Sequence, residues 1–262
     1  MSNLRPLIVV SLKMYLGVAA TRAWVGEVVD VAARLDTGAG IELAVLPTFP
    51  LLESTAKTLA GTGIRWGAQD VAASVDGAQT GEVSVEVLAE LGCRYVEIGH
   101  VERRRLFGED DAMIQAKVCQ VVGADLVPLF CVGEAERGAP SEAARACLAQ
   151  VQKLLEVAAG KEVVVAYEPV WAIGASAPAP AEYVADVCEH LQVRLDSYAG
   201  RSRLLYGGAA GPGTYQSLGP AVDGLFLGRF AHDTRALAQV VTEVIASGPS
   251  RIASLASSKE QS

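Results

Sequence analysis

Residues 163–174 read VVVAYEPVWAIG, an apolar run that ends at a single carboxylate, Glu168. The run does not alternate between apolar and polar residues, which is typical of a parallel strand covered by helices. An ionised carboxylate is costly to bury without a partner. Glu168 therefore either has a structural partner or retains its charge for chemistry.

Strand-like segments of the same kind occur seven more times along the chain. They are PLIVVSLK, IELAVLP, IRWGAQD, YVEIGH, LVPLFCV, RLLYGG and GLFLGR. Between them lie segments with apolar residues at helical spacing, such as TRAWVGEVVDVAARL and EAARACLAQVQKLLEV. Eight strand–helix units in about 250 residues predict an α/β protein with a closed (β/α)8 barrel. An open doubly wound sheet is the alternative, but no GxGxxG motif follows the first strand. We predict one domain over residues 1–248 and a polar C-terminal tail over residues 249–262.

The amino-acid composition limits which kinds of partner and which cellular compartment we expect for the protein. The chain has 262 residues, a formal net charge of −8 and 51% hydrophobic residues, and its longest basic run is Arg103-Arg104-Arg105. We therefore expect neither nucleic acid nor an anionic membrane as a partner. The five cysteines are odd in number and lack CxxC spacing, which favours free thiols in a reducing cytoplasm. The apolar stretch near the N-terminus is too short for a signal peptide or a spanning helix.

Polar or glycine residues stand where the predicted strands end. They are Lys13, Gln69, His100, Glu134, Glu168 and the pair Gly207-Gly208. All strands of a (β/α)8 barrel open on one face, and that face carries the active sites of such barrels. We therefore expect these residues to converge on one pocket.

Three of these side chains suit chemistry, although each also has an ordinary structural explanation. Lys13 could be a solvated lysine, or a cation that attracts a phosphate or a developing oxyanion. The amide groups of a helix starting after His100 would face its imidazole and favour the neutral, hydrogen-bond-donating ring. Glu168 is a candidate general base.

The loops after the sixth, seventh and eighth strands are rich in glycine. Gly174, Gly207, Gly208 and Gly228 could supply backbone amides to a phosphate group, as loops at these strand ends do in barrels. The segment VWAIGASAPAP after Glu168 is either a lid over the pocket or a plain surface loop.

From about Leu7 to about Val244 the chain resembles triosephosphate isomerase. The matching segments include LKM (12–14), GAQD (67–70), GH-ERR (99–104), AYEPVWAIG (166–174) and LYGG (205–208). The resemblance implies a TIM barrel with no cofactor and no metal. It implies that Glu168 is the base, His100 the electrophile and Lys13 the cation that faces the oxyanion and the phosphate. A glutamate base beside a neutral histidine is already a well-known case of pKa tuning in this family. The segment GAQTGEVS (77–84) is similar to the family loop that inserts into a neighbouring subunit, which implies a homodimer.

Several positions depart from the family pattern. Ser11 stands where the family has an asparagine, Val101 and Ala209 each replace a serine, and Arg229 replaces a glycine. Ser11 would open space beside the reacting carbons. Arg229 is a candidate to bind the phosphate in place of the serine hydroxyl that Ala209 lacks. The lid segment ASAPAP also differs from the usual family sequence.

These departures lead us to predict an altered substrate with unchanged chemistry. The favoured substrate is a phosphorylated erythrulose, of the L-erythrulose 1-phosphate or D-erythrulose 4-phosphate type, because it is dihydroxyacetone phosphate with an added hydroxymethyl group. The alternative is authentic triosephosphate isomerase. More remote alternatives are a Schiff-base aldolase that uses Lys13 and a non-catalytic barrel that binds phosphorylated ligands.

Overall fold

The computed structural model describes residues 5–74, 77–173 and 178–247. The strands are β1 (Leu7–Ser11), β2 (Glu42–Leu46), β3 (Arg65–Ala68), β4 (Tyr95–Ile98), β5 (Val127–Val132), β6 (Val163–Tyr167), β7 (Ser202–Tyr206) and β8 (Gly224–Leu227). The helices are α1 (Val18–Arg34), α2 (Thr37–Gly40), α3 (Leu52–Leu59), α4 (Val85–Glu90), α5 (Val101–Phe107), α6 (Asp111–Gly123), α7 (Pro140–Ala158), α8 (Ala181–Asp196), α9 (Thr214–Leu218) and α10 (Thr234–Ala246). The predicted C-terminal tail lies outside the described residues.

The eight strands form a closed parallel barrel in chain order. Each strand pairs in parallel with the next, and β8 closes the barrel on β1, where Leu7 is in register with Gly224 and Val9 with Phe226. This topology confirms the predicted (β/α)8 fold. Parallel neighbours require a crossover between successive strands, and the helices on the outside supply it.

The apolar character of the strands follows from two buried layers. Successive side chains of a strand point to opposite faces. Leu7 and Val9 of β1 point into the barrel, while Ile8 and Val10 pack in the layer between the strands and the helices. Both faces of each strand are thus shielded from water, so the sequence shows no alternation with polar residues.

Local signals fix where several helices begin. Ser84 caps α4 by accepting a hydrogen bond from the amide of Val87, and Asp110 caps α6 by accepting one from Met113. Asp233 does the same for α10. Such caps satisfy amide groups that have no partner in the first turn.

Candidate active site

A cavity of about 370 Å3 lies at the carboxyl ends of the strands. Its lining includes Ser11, Lys13, Tyr15, His100, Glu102, Glu168, Gly208, Ala209, Gly228, Arg229 and Phe230. The three predicted catalytic side chains therefore meet in one cavity, on the face of the barrel where the strand ends predict a site.

Glu168 directly follows β6, and the barrel fixes its backbone. Its amide donates to the carbonyl oxygen of Val132 at 2.9 Å, which continues the β5–β6 ladder. Its Oε1 accepts a hydrogen bond from the amide of Gly208 at 3.2 Å, and its Oε2 is buried with no hydrogen-bond partner among the described residues. The described residues also give Glu168 no lysine or arginine within salt-bridge distance. A buried carboxylate oxygen without a partner is costly, so Glu168 is not explained by a structural partner.

Two glycines make room for Glu168. A Cβ atom at Gly207 would lie 2.6 Å from the Cγ of Glu168, and a Cβ at Gly133 would lie 1.9 Å from its carbonyl oxygen. Both distances are far below contact distance, so any side chain at either position would displace the carboxylate. Gly207 therefore packs against the base and is not among the residues that line the cavity.

His100 ends the segment after β4 and caps α5. Its Nδ1 accepts a hydrogen bond from the amide of Glu102 at 3.1 Å, an arrangement that would place the hydrogen of a neutral ring on Nε2. Nε2 lies 2.7 Å from Lys13 Nζ and 3.4 Å from Glu168 Oε2. The ammonium group of Lys13 can only donate, so its hydrogen bond takes Nε2 as the acceptor, and a neutral ring cannot accept at both nitrogens at once.

Lys13 is held in place by carboxylates and by its backbone. Its Nζ lies 3.4 Å from Glu97 Oε1 and 3.5 Å from Glu102 Oε2. Burial alone would lower the pKa of Lys13, but the negative charges of Glu97, Glu168 and Glu102 raise this pKa above its ordinary value. The residue has a positive φ of 51°, a strained region for a residue that is not glycine. Lys13 is therefore a fixed, fully protonated cation at the mouth of the barrel.

Two of the polar residues predicted to line the pocket lie behind it instead, which corrects that expectation. Gln69 donates from Nε2 to the carbonyl oxygens of Lys13 at 3.1 Å and Leu46 at 2.9 Å, so it supports the loop that carries the cation. Glu134 is buried, and its Oε1 accepts hydrogen bonds from Trp171 Nε1 at 2.6 Å, Tyr183 at 3.0 Å and Tyr167 at 3.2 Å.

Those three donors satisfy the Glu134 carboxylate without any ligand. Because Trp171 belongs to the short turn after Glu168 and Tyr183 to α8, Glu134 anchors the segment that follows the base. Gln69 and Glu134 thus position the loops of the site without facing its cavity.

The opposite side of the cavity carries groups suited to an anion. Gly208, Ala209, Gly228 and Arg229 line it together. Arg229 is exposed and makes no hydrogen bond or ion pair within the part of the chain that the structure describes. The predicted phosphate contact at Gly174, together with part of the predicted lid, lies outside the described residues.

Glu97 is a site residue that the sequence analysis did not identify. It lies within β4 with its side chain inside the barrel, where it is 2% exposed. Its Oε2 accepts a hydrogen bond from the hydroxyl of Ser11 at 2.7 Å, and Ser11 is itself fully buried. The signal was present in the segment YVEIGH, where a carboxylate interrupts an otherwise apolar strand. The same reasoning that singled out Glu168 applies to it.

The family model described as "Triosephosphate isomerase" matches residues 6–244. The chain belongs to the triosephosphate isomerase family. It is 44% identical over 251 residues to the L-erythrulose-1-phosphate isomerase of Pectobacterium atrosepticum, covering 93% of this chain and 97% of that relative. It is 38% identical over 235 residues to the triosephosphate isomerase of Thermus thermophilus, covering 86% of this chain and 92% of the relative. A probable triosephosphate isomerase 2 of Listeria monocytogenes is 33% identical over 250 residues, covering 92% and 97%.

Membership of the triosephosphate isomerase family makes this chain an isomerase. Among the described residues, no group of three or more His, Cys, Asp and Glu side chains is arranged to hold a metal ion. None of the helices in the described ranges is long and apolar enough to cross a membrane. Three of the positions that depart from the family pattern, Ser11, Ala209 and Arg229, line the cavity, whereas Val101 is not among its lining residues.

Proposed function

We propose that this isomerase moves the carbonyl group of a phosphorylated tetrulose by one carbon. It would interconvert an L-erythrulose 1-phosphate with the corresponding erythrulose 4-phosphate through an enediolate. The reaction transfers one proton between adjacent carbons and needs no redox partner. The observation that carries the proposal is Ser11, a small residue on the cavity wall beside Lys13 and His100.

The proton transfer is assigned to Glu168. Its Oε2 has no hydrogen-bond partner in the described residues and lies 3.4 Å from His100 Nε2, so it is available to take a proton from the carbon beside the carbonyl. The same carboxyl group then returns the proton to the neighbouring carbon. General base catalysis of this kind contributes roughly 10²–10⁴-fold.

Lys13 and His100 are assigned to the oxygens of the enediolate. Nζ and Nε2 lie 2.7 Å apart. The proposal requires a substrate oxygen to separate them and accept from both, with the hydrogen of the neutral imidazole on Nε2. An oxygen between them would gain negative charge as the proton leaves carbon, and fixed donors stabilise that charge most where water is excluded. His100 would also shuttle the proton between the two oxygens.

The phosphate group is assigned to the side of the cavity formed by Gly208, Gly228 and Arg229. Backbone amides and an unpaired guanidinium are suited to a phosphate dianion. Gly174 stays a proposed phosphate contact, as predicted from the sequence. Gly207 was predicted to bind the phosphate too, but its amide donates to the carbonyl oxygen of Tyr167 at 2.9 Å, so we propose that it acts only through its contact with Glu168.

The choice of a four-carbon substrate rests on the space at the end of the cavity away from the phosphate. The distance from the phosphate to the reacting carbons is the same in a triose and in this tetrulose, so room is needed only for the added hydroxymethyl group. A serine at position 11 leaves more volume than the asparagine of the family pattern, and overpacking costs roughly 1–3 kcal/mol. The relative of 44% identity that is named for L-erythrulose 1-phosphate supports this assignment.

The alternative substrate is dihydroxyacetone phosphate, since the Thermus thermophilus relative is a triosephosphate isomerase. Steady-state rates with both ketose phosphates decide between the two. We expect a higher kcat/KM for the tetrulose phosphate, and we expect Ser11→Asn to shift the ratio towards the triose. Efficient triose turnover with no detectable tetrulose turnover in the wild type would overturn the proposal.

A Schiff-base aldolase is disfavoured by the charge state of Lys13. The surrounding carboxylates raise the pKa of its ammonium group despite burial, and only the neutral amine can attack a carbonyl carbon. Borohydride should therefore trap no adduct between the protein and the ketose phosphate. Exchange of solvent deuterium into that ketose phosphate would separate an isomerase from a barrel that merely binds it.

We also propose that the protein is a homodimer joined through the loop at 77–84. Residues 77–82 are exposed, and exposed apolar side chains occur on the segments after β1, β3 and β4: Met14, Val87, Leu106 and Phe107. A second copy of the chain would cover them. Light scattering should give twice the mass of the chain, and Met14→Asp should give the monomer. The control is Val193→Asp, a change at another exposed apolar residue, on α8, which should leave the mass unchanged.

The proposed setting is sugar metabolism in the cytoplasm. All five cysteines are free thiols, and Cys93, Cys131, Cys147 and Cys188 are buried. Free thiols are usual in a reducing compartment. Cell fractionation should recover the activity with cytoplasmic markers.

A further inference from the structure

The hydroxyl group of Ser11 is committed to Glu97. Ser11 Oγ and Glu97 Oε2 lie 2.7 Å apart, and the two residues are 0% and 2% exposed. The second oxygen of Glu97 lies 3.4 Å from Lys13 Nζ. An ionised carboxylate only accepts hydrogen bonds, so the single hydrogen of the serine must point at Glu97.

This arrangement fixes the hydrogen-bonding character of Ser11 towards the cavity. With its hydrogen directed at Glu97, Oγ presents lone pairs and can only accept a hydrogen bond from a ligand. Glu97 is not among the described residues that line the cavity, so it reaches a ligand only through Ser11 and Lys13. The polar wall at position 11 is therefore an acceptor, unlike the donors Lys13 and His100 beside it.

An acceptor does not suit the reacting oxygens of the substrate. These two oxygens share negative charge in the enediolate, and a lone pair beside them would be repulsive. The terminal hydroxyl of a tetrulose phosphate is different, because it stays a hydroxyl throughout the reaction and always has a hydrogen to donate. A triose phosphate has no such group.

We propose that Glu97 is a positioning residue that holds Ser11 as a hydrogen-bond acceptor for the terminal, non-reacting hydroxyl of the tetrulose phosphate. Ser11 and Glu97 then form one specificity-determining unit. The inference rests on the proposed function, and it adds the direction of the hydrogen bond and the residue that imposes it. A site that binds a substrate hydroxyl rejects the analogue without it more strongly than a site that merely has room.

The test is a double-mutant cycle in which the preference for the tetrulose phosphate over the triose phosphate is measured for each variant. The variants are Ser11→Ala, Glu97→Gln and the double variant, and the readout is kcat/KM for the tetrulose phosphate divided by kcat/KM for dihydroxyacetone phosphate. A change in Lys13 caused by Glu97→Gln affects both substrates and cancels in this ratio. The amide of the glutamine can donate to Ser11 Oγ, which removes the imposed direction.

We expect each single variant to lower the ratio about tenfold, the value of one hydrogen bond. The double variant should be no lower than Ser11→Ala, because residues that act as a unit are not additive. Most of the loss should be in KM for the tetrulose phosphate. The wild type should also discriminate against the 4-deoxy analogue of L-erythrulose 1-phosphate, which has a methyl group in place of the hydroxymethyl, and Ser11→Ala should not.

The matched control is Glu42→Gln, which alters a carboxylate at the other end of the barrel and should leave the ratio unchanged. If the wild type prefers the tetrulose but Glu97→Gln keeps the ratio, the positioning role of Glu97 is overturned while the proposed function stands. If the losses in the ratio caused by Ser11→Ala and Glu97→Gln add up in the double variant, the positioning role of Glu97 is overturned as well. A wild type that prefers the triose overturns the proposed function itself, and this inference with it.

Discussion

The barrel contains two buried charge clusters, one at each end, and β4 contributes to both. Tyr95 and Glu97, two residues apart, point into the same interior. Tyr95 belongs to the cluster at the amino ends of the strands, with Arg203, Glu42 and Glu162. Glu97 belongs to the cluster at the carboxyl ends, with Ser11, Lys13 and, through Lys13, His100 and Glu168.

The cluster at the amino ends is closed on itself. Arg203 is 1% exposed, and its terminal nitrogens donate to Glu42 Oε2 at 2.9 Å, Tyr95 Oη at 2.6 Å and Glu162 Oε1 at 3.1 Å. Burial alone would raise the pKa of Glu42, but Arg203 and the hydrogen bond from Tyr95 hold this pKa below its ordinary value. Both terminal nitrogens of Arg203 thus find their partners within the protein, whereas its buried Nε has no hydrogen-bond partner among the described residues.

The cluster at the carboxyl ends is open. Glu168 Oε2 has no hydrogen-bond partner among the described residues, and Lys13 and His100, 2.7 Å apart, line the cavity where a ligand would bind. Similar ionisable groups thus serve stability where their charges are paired within the protein, and chemistry where a partner must come from outside. Substitutions at the two ends should therefore separate stability from activity.

Removal of the base should give the largest effect. Glu168→Gln keeps the shape of the side chain, so we expect a folded protein that still binds phosphorylated inhibitors but loses roughly 10²–10⁴-fold in kcat. Steady-state kinetics with the ketose phosphate check this, and Glu53→Gln on the exposed face of α3 is the control. Turnover near the wild-type rate would mean that another group takes the proton.

Breaking the closed cluster should cost stability and spare the chemistry. Arg203→Met leaves two carboxylates near a buried phenol, which should destabilise the fold by about 3–5 kcal/mol. Denaturant unfolding measures this loss, and kcat of the folded fraction should stay unchanged. Arg201→Met is the matched control, since that exposed residue pairs with Glu162 at 3.8 Å and should contribute less than about 1 kcal/mol. A drop in kcat with normal stability would contradict the division between the two ends.

Removal of the cation should affect turnover and ligand binding together. Lys13→Met removes a donor from the developing oxyanion, which should cost about 10²–10³-fold in kcat. The substitution should also weaken the binding of phosphorylated inhibitors, which calorimetry would measure. Lys57→Met, an exposed change on α3, should alter neither quantity. Unchanged inhibitor affinity in Lys13→Met would place the cation away from the anion.

The smallest effect is expected at the rim of the cavity. Arg229→Gly should raise KM by up to about fivefold with little change in kcat, because an exposed ion pair contributes about 0.2–1 kcal/mol. Arg235→Ala, which removes an exposed arginine paired with Asp233, is the control. An unchanged KM in Arg229→Gly would remove this residue from the phosphate site.

The fold could be predicted from the sequence because both layers of the barrel are apolar. Each of the eight apolar segments contains a strand, and the cavity brings together Lys13, His100 and Glu168 as expected. What could not be predicted was the direction of each polar side chain. A shift of one residue moves a side chain to the other face of a strand. A position directly after a strand therefore does not show whether a glutamate faces the cavity. Glu168 does, whereas Glu134 is bound by three donors behind the cavity.

Buried ionic residues inside the strands, among them Glu97 and Arg203, also escaped the sequence analysis. Glu97 and Arg203 lie inside apolar strands, and the overall apolar character of each segment obscures a single charge. Their partners, Ser11 and Lys13 for one and Glu42 and Tyr95 for the other, come from distant parts of the chain. Only the closed barrel brings these pairs together.

The glycines beside Glu168 have a consequence for how such an enzyme can diverge. Neither Gly133 nor Gly207 can acquire a side chain without displacing the carboxylate. The two glycine positions beside the base therefore tolerate no larger residue. Positions 11 and 229, on the far wall and at the rim of the cavity, can change in size and charge. New substrates can therefore arise by changes around a stationary proton acceptor, so that specificity evolves while the reaction is inherited.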